Sequence, residues 1–394
     1  MQPMKKNVLL LAACQALMMT ANSLLVTTTA LVGYRLAADK ALATLPMAMQ
    51  MFATMMTTIP ASLLMKRIGR RGGFLVGATI GLLGAALATI AVLDHQFLLY
   101  VTGAALIGSF NGFGNYYRFA AADAATDDWR SRAVSFVLAG GVIAALAGPN
   151  LARYTAHLIP SAVYAGSIGS TILLYLASLL LLSRVRIPPE PGEAHGTMRR
   201  LGEIARQPLY LAALVGGAAG YGAMVLIMTA TPLAMHRYAY SFSDTAFVIQ
   251  WHVLGMFAPS FVTGYLITRF GALNVIMTGA LLILACVAAN LTGTAMVHFW
   301  AALLLLGTGW NFMFIGATTL LTVTYAPAEK AKSQALNDFT IFTIVTLASL
   351  SSGALLQFVG WRMVNLAVVP LMVLALVVTA WQQLKTHRRS IPGL

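Results

Sequence analysis

The sequence predicts an all-α membrane protein of twelve transmembrane helices, arranged as two pseudo-symmetric six-helix bundles. Three observations carry this expectation. Of 394 residues 59% are hydrophobic and 9% charged, where a soluble domain carries about 25% charged residues. The charges collect between long apolar runs, and short segments recur at a separation near 200 residues. So few charges cannot wet a soluble globule of 41.8 kDa, which excludes a soluble enzyme, a disordered chain and a nucleic-acid binder. The net charge of +14 instead reads as the basic, cytoplasmic face of a multi-pass membrane protein.

A helical span needs about 20 mostly apolar residues. The runs that qualify are 8–33, 41–65, 74–93, 97–122, 132–156, 161–183, 209–235, 244–268, 273–293, 297–325, 334–358 and 362–384. The first follows Lys5 and Lys6 like a signal peptide, but it is too long and lacks a cleavage site, so it counts as a span. On one side of the membrane fall Lys5, Lys6, Lys66, Arg67, Arg70, Arg71, Arg130, Arg132, Arg184, Arg186, Arg199, Arg200, Arg206, Arg269, Lys330, Lys332, Lys385, Arg388 and Arg389. Only Arg35, Lys40, Arg153, Arg237 and Arg362 fall on the other, and Arg118 lies inside a span. The basic side is cytoplasmic and holds both termini, which implies a multi-pass protein of the cell inner membrane. The longest connection, 184–208, carries Ile187-Pro188-Pro189-Glu190-Pro191-Gly192. It reads as a cytoplasmic linker between an N-terminal half, 1–183, and a C-terminal half, 209–394.

The halves echo each other. Ser62-Leu63-Leu64-Met65-Lys66-Arg67-Ile68-Gly69 at the end of span 2 parallels Gly264-Tyr265-Leu266-Ile267-Thr268-Arg269-Phe270-Gly271 at the end of span 8, 202 residues on. Ser131-Arg132-Ala133-Val134 parallels Ser333-Gln334-Ala335-Leu336 at the same offset. Leu106 to Asn111 in span 4 resembles Leu305 to Asn311 in span 10 at an offset of 199 or 200. Parallel six-helix repeats imply a pathway between the halves with its site near mid-bilayer.

On these residues the chain resembles the major facilitator superfamily of secondary transporters over its full length. The family's loop between helices 2 and 3 carries G-x-x-x-D-R-x-G-x-R-R or a close variant, matched here by Arg67, Gly69 and Arg71. Ser62 replaces the first glycine and Lys66 the acidic residue. In the second half Gly264, Arg269 and Gly271 match and Thr268 takes the acidic place. The family uses that carboxylate in cytoplasmic gating, so the resemblance implies a differently built inner gate. The family's buried arginine in helix 4 is replaced by Gly108. Gly140, Gly141, Gly148 and Pro149 resemble the glycine-rich helix 5 of antiporters, although Asn150 and Leu151 stand where further glycines would be.

Polar groups in hydrocarbon are costly and are functional candidates. Acids deep in the spans are nearly absent, which argues against a metal or polycation carrier. Substrate contacts are expected from Asn22, Asn111, Asn115, Tyr116, Tyr221, Trp310 and Asn311, on spans 1, 4, 7 and 10, which line the cavity in the superfamily. Gln15, Gln50, Thr229, Gln250 and Trp251 extend the set. Aromatic walls with amide donors and acceptors suit a neutral or weakly charged, partly aromatic solute; the competing reading is hydrogen bonding between helices. For gating and coupling the candidates are Arg118, Asp123 and Asp338 near the cytoplasmic ends of spans 4 and 11, the cationic loop with Arg67, its counterpart Arg269, and His252. Arg118 and Asp123 with Asp338 would form the inner gate, unless Arg118 snorkels to lipid phosphates. His252, deep in span 8, would carry a coupling proton, unless it only braces helices. The glycines of span 7 with Pro232 would mark a bend.

No catalytic motif is present: no G-x-S-x-G, no H-E-x-x-H and no glycine-rich phosphate loop. Cys14 and Cys286 lie in apolar runs and form neither a zinc spacing nor a disulfide framework. The expectation is therefore no enzyme, no cofactor and no metal. The leading expectation is a monomeric, proton-coupled secondary transporter of a small organic solute, working by alternating access in the lipid bilayer and leaning to drug or metabolite export. The alternatives are uptake of a neutral aromatic nutrient such as a flavin-like vitamin, and a non-transporting sensor on the same scaffold.

Overall fold

A computed structural model describes residues 3–124, 130–186 and 199–390, and helices make up nearly all of them. In order they are α1 (Pro3–Leu36), α2 (Leu45–Leu93), α3 (Phe97–Gly114), α4 (Tyr117–Asp123), α5 (Arg130–Thr155), α6 (Ala165–Leu182), α7 (Leu201–Ala205), α8 (Pro208–Arg237), α9 (Phe242–Phe257), α10 (Ser260–Phe270), α11 (Ala272–Thr292), α12 (Met296–Thr322), α13 (Lys330–Leu366) and α14 (Val369–Ser390). Eight stretches among the described residues are long and apolar enough to cross a membrane, or nine when α9 and α10, bent by 41°, count as one. Two of the eight, Lys40–Leu93 and Lys332–Lys385, are 54 residues long. At 1.5 Å per residue each would reach about 80 Å, far beyond the ~30 Å hydrocarbon core.

Single glycines divide these stretches. Gly69 has φ 78° and ψ 157°, and Gly360 has φ 81° and ψ 174°, a backbone that a residue with a Cβ rarely adopts. The loop expected after span 2 is thus reduced to Gly69. Its counterpart Gly271, at φ 85° and ψ 150°, separates α10 from α11 in the same way. The repeat read from the sequence therefore places the same backbone break 202 residues apart.

Two expected spans are interrupted. Span 4 divides at Asn115–Tyr116 into α3 and α4, and span 8 divides at Ala258–Pro259 into α9 and α10. Pro259 has no N–H to offer the preceding turn, so the helix bends. The bend expected in span 7 takes a different form: α8 stays helical from Pro208 through Pro232 to Arg237.

Small residues bring the helices into contact. A Cβ on Gly108 would collide with the Gln50 carbonyl, and a Cβ on Gly307 would collide with the His252 carbonyl. Gln50 and His252 stand 202 apart and the two glycines 199 apart, so both halves use one packing device. In α5, Gly140 lies against the Ala16 backbone and Gly148 against Thr20 and Ser23 of α1. The α5 glycines are thereby explained by close packing.

The segments before and after residue 184 meet at the sparsely charged end. Tyr34 and His236 approach edge-on with ring centres 5.9 Å apart, and Tyr164 and Phe242 at 5.0 Å. The Thr44 hydroxyl donates to the Leu350 carbonyl at 3.4 Å and accepts from the Gly353 N–H at 3.2 Å. Asn150 of α5 donates to Gln250 of α9 at 2.8 Å. At the basic end several of the described polar contacts stay within one half. Asn7 pairs with the Arg186 backbone and Arg71 donates to the Ser183 carbonyl on one side, while Tyr210 donates to the Ser333 carbonyl on the other.

Candidate functional site

Asn22 sits a little past the middle of α1. Its Oδ1 accepts from Gln50 Nε2 of α2 at 3.2 Å and from Asn111 Nδ2 of α3 at 3.0 Å, and its Nδ2 donates to Asn111 Oδ1 at 3.2 Å. Three amides from three helices thus close a polar knot in an apolar bundle. Asn22 is half-buried, Gln50 and Asn111 buried. Thr54, one turn past Gln50, bonds the Gly108 carbonyl at 2.9 Å and ties α2 to α3 below the knot. Gln50 is the member that sequence reasoning left out of the central set. An i+4 polar partner such as Thr54 was visible, but the face of α2 that meets Asn22 was not.

Asn115 caps α3, its backbone N–H bonding the Asn111 carbonyl, and so stands at the break rather than mid-helix. Tyr116 follows it, with its hydroxyl donating to the Thr58 carbonyl at 3.0 Å.

The other mid-depth feature is aromatic. Tyr221 of α8 lies edge-on to Trp310 at 5.4 Å and to Phe314 at 5.6 Å, and tilts against Phe342 of α13 at 6.2 Å. Trp310 and Phe314 are stacked at 5.0 Å with planes 9° apart, as their i, i+4 spacing on α12 permits. Phe257 of α9 closes the group at 6.4 Å from Trp310. Trp310 is 7% exposed and its Nε1–H has no partner among the described residues, a donor whose burial costs about 1–3 kcal/mol. Phe314 and Phe342 were not anticipated, because a phenylalanine in an apolar helix gives no sign of which face it occupies.

Asn311 departs from its sequence neighbour. It is 1% exposed. Its Nδ2 donates to the Met256 carbonyl and to Ser260 Oγ, both at 2.7 Å, while Thr263 Oγ1 lies 2.6 Å from its Oδ1. These partners flank Pro259, so Asn311 satisfies the groups that the α9–α10 bend sets free. Its amide is committed to packing.

His252 is fully buried inside the second half. Its Nδ1 lies 2.9 Å from the Leu303 carbonyl, which fixes the proton on that nitrogen, and its Nε2 has no partner among the described residues. Asp244, in the first turn of the same helix, is engaged in a capping box with Ser241.

Toward the basic end Arg118 and Asp338 are both exposed. Each lies within electrostatic reach of the other, from α4 and α13. Arg118 also stacks over Phe119 at 4.8 Å, and Asn337 donates to Asp338 at 3.1 Å. Asp123 ends α4, and its side chain lies outside the described residues. Arg67 is exposed beside Gly69, and Arg269 donates to the Tyr265 hydroxyl at 3.2 Å.

A model of the Major Facilitator Superfamily matches residues 11–345. The chain is 40% identical over 376 residues to the riboflavin transporter RfnT of Brucella anthropi, covering 95% of this chain and 94% of that one. It is 30% identical over 348 residues to the uncharacterized MFS-type transporter YdeG of Bacillus subtilis, covering 84% and 80%. It is 26% identical over 384 residues to YddS of the same organism, also an uncharacterized MFS-type transporter, covering 90% and 86%.

Proposed function

The chain belongs to the major facilitator superfamily and is a multi-pass membrane transporter of a small molecule, not an enzyme; from that premise we propose that it takes up riboflavin or a closely related flavin by alternating access. The observation that carries the substrate reading is the 40% identity to a riboflavin transporter along nearly the whole of both chains. The mid-depth chemistry supports it. A flavin joins a flat heteroaromatic ring to a chain of hydroxyls. Tyr221, Trp310, Phe314 and Phe342 offer aromatic faces and edges, and Asn22, Gln50 and Asn111 offer amides that can trade one another for hydroxyls. The lean to export rested on the α5 glycines alone, whereas the similarity to a riboflavin transporter favours uptake.

In this reading the chain crosses the inner membrane twelve times. Each 54-residue stretch is divided at its glycine, α9 and α10 form one crossing, and α5 adds another. Both termini are cytoplasmic, and residues 184–208 link two halves that rock about the site. The contacts across the sparsely charged end support an inward-facing arrangement. Arg118 and Asp338, on opposite halves, close the cytoplasmic side in the alternate state, with Asp123 and the loops of Arg67 and Arg269 at its rim. Protonating His252 would add a donor where its Nε2 finds no acceptor. The exposed Asp338 is therefore the better place for a coupling proton.

Uptake of labelled riboflavin by a flavin auxotroph tests the proposal. The auxotroph accumulates riboflavin when this protein is expressed. Tyr221→Ala raises KM about tenfold, roughly 1.4 kcal/mol, and Asp338→Asn lowers the maximal rate with little change in KM. Accumulation equal to that of the empty strain, with the protein present in the membrane, contradicts it.

A further inference from the structure

Among the described residues two small crevices lie at the outer end. One sits on the seam itself, lined by Tyr34 and Lys40 before residue 184 and by His236, Arg237, Gly353 and Gln357 after it. Two of these, Lys40 and Arg237, carry positive charge, and no carboxylate lines the space. Lys40 Nζ donates to the Tyr34 and Ala37 carbonyls at 2.7 Å each, which leaves one N–H. Arg237 Nη1 donates to the Leu356 carbonyl at 2.6 Å, which leaves most of its fork unused. Neither cation meets an acid among the described residues. The nearest acid in sequence, Asp39, is exposed and accepts from the Ala41 N–H at 2.9 Å. Of the packed elements, α1 brings Tyr34, the turn after it Asp39 and Lys40, α8 His236 and Arg237, and α13 only the neutral Gln357.

Shutting this end brings Lys40 of one half and Arg237 of the other onto a common, partly enclosed space. Like charges there oppose closure, with a Coulomb term that grows as water is squeezed out. Arg35, the repeat counterpart of Arg237 at an offset of 202, lines a crevice within the first half instead, so the convergence across the seam is particular to Arg237. The space has room for about one water-sized species.

We propose that this crevice is a binding site for a small inorganic anion of the chloride class, which bridges Lys40 to Arg237 and latches the outer side shut. Such an anion binds the outward-closed state better than the outward-open one, so by linkage its concentration outside shifts the conformational balance toward closure. The inference rests on the two-half, alternating-access reading above but not on the identity of the substrate.

The test is a distance across the seam. Spin labels at Ala38→Cys and Phe358→Cys, both exposed beside the crevice, report outer closure in the full-length protein in nanodiscs. Chloride replaces gluconate at constant ionic strength. The expected result is a saturable rise of the short-distance population with chloride. The half-maximal concentration rises at least tenfold in Lys40→Gln and in Arg237→Gln, and is unchanged in Arg362→Gln, an outer cation away from the crevice. Identical distributions in chloride and gluconate overturn the proposal. So does a response that survives in Lys40→Gln and Arg237→Gln, or one that appears with phosphate and not with chloride. Riboflavin uptake measured on the same protein keeps the two readings apart, since the chloride response does not require flavin.

Discussion

At the scale of single residues, the absence of a side chain matters as much as its presence. Gly353 lets α13 touch the turn at Ala41–Thr44: a Cβ there would sit 2.8 Å from Thr44 Oγ1 and 3.2 Å from the Ala41 carbonyl. A larger residue wedges the outer seam. Gly353→Val is expected to fold, to lose more than 90% of transport, and to leave Thr44→Cys open to a membrane-impermeant maleimide. Unchanged transport with Thr44→Cys still protected counts against the seal. Asn22 and Asn111 were each legible as polar candidates, because amides in apolar helices stand out. Their bonding to each other and to Gln50 was not legible, since it depends on how three helices are rotated. Trp310 and Asn311, adjacent in sequence, part company for the same reason. One faces Tyr221 and the other faces the bend at Pro259.

At the scale of elements, the bend between α9 and α10 depends on a side chain from α12. Removing the amide in Asn311→Ala orphans the Met256 carbonyl inside the bundle, at a cost of about 1–3 kcal/mol. Thermal unfolding in detergent is expected at a lower temperature, with the KM for flavin of the folded fraction unchanged. A raised KM at unaltered stability would return Asn311 to the substrate site. The second element-level tie anchors the linker. Arg199, 45% exposed, holds Glu329, 1% exposed, through Nε at 2.9 Å and Nη2 at 2.6 Å, and its backbone N–H adds a third bond at 2.7 Å. Lys332 donates to the Arg199 carbonyl, and Gln207 and Arg199 share the Thr324 carbonyl. The Arg199 guanidinium, helped by the Ala326 N–H, brings the Glu329 carboxyl down from 4.5 to about 2. A depressed carboxylate contributes stability that is complete above its unfolded pKa and lost as pH falls through the folded one. The gap in melting temperature between wild type and Glu329→Gln is thus expected to be flat from about pH 5 to 8 and to shrink below about pH 4. A gap that changes near neutrality would mean another group titrates with the anchor. Pro259 in an apolar run was a readable break signal; Arg199 and Glu329, 130 residues apart, carried no signal of their pairing.

At the scale of the whole molecule, the repeat was the most informative feature of the sequence. Gly69 and Gly271 fall at one offset because both end a helix where only glycine fits, and short motifs preserve such requirements. Gly108 and Gly307 do the same where two helices touch. The direction of transport and the solute leave no comparable mark, because mid-depth recognition is made of residues that are ordinary in any apolar helix. The account stands or falls on two halves carrying a flavin across in turn. Counterflow measures this directly: purified protein in liposomes loaded with unlabelled riboflavin, diluted into a trace of labelled riboflavin. The account predicts a saturable, transient accumulation of label above its external level, weakened in Tyr221→Ala at limiting riboflavin. Label that never rises above the level in protein-free liposomes would contradict it.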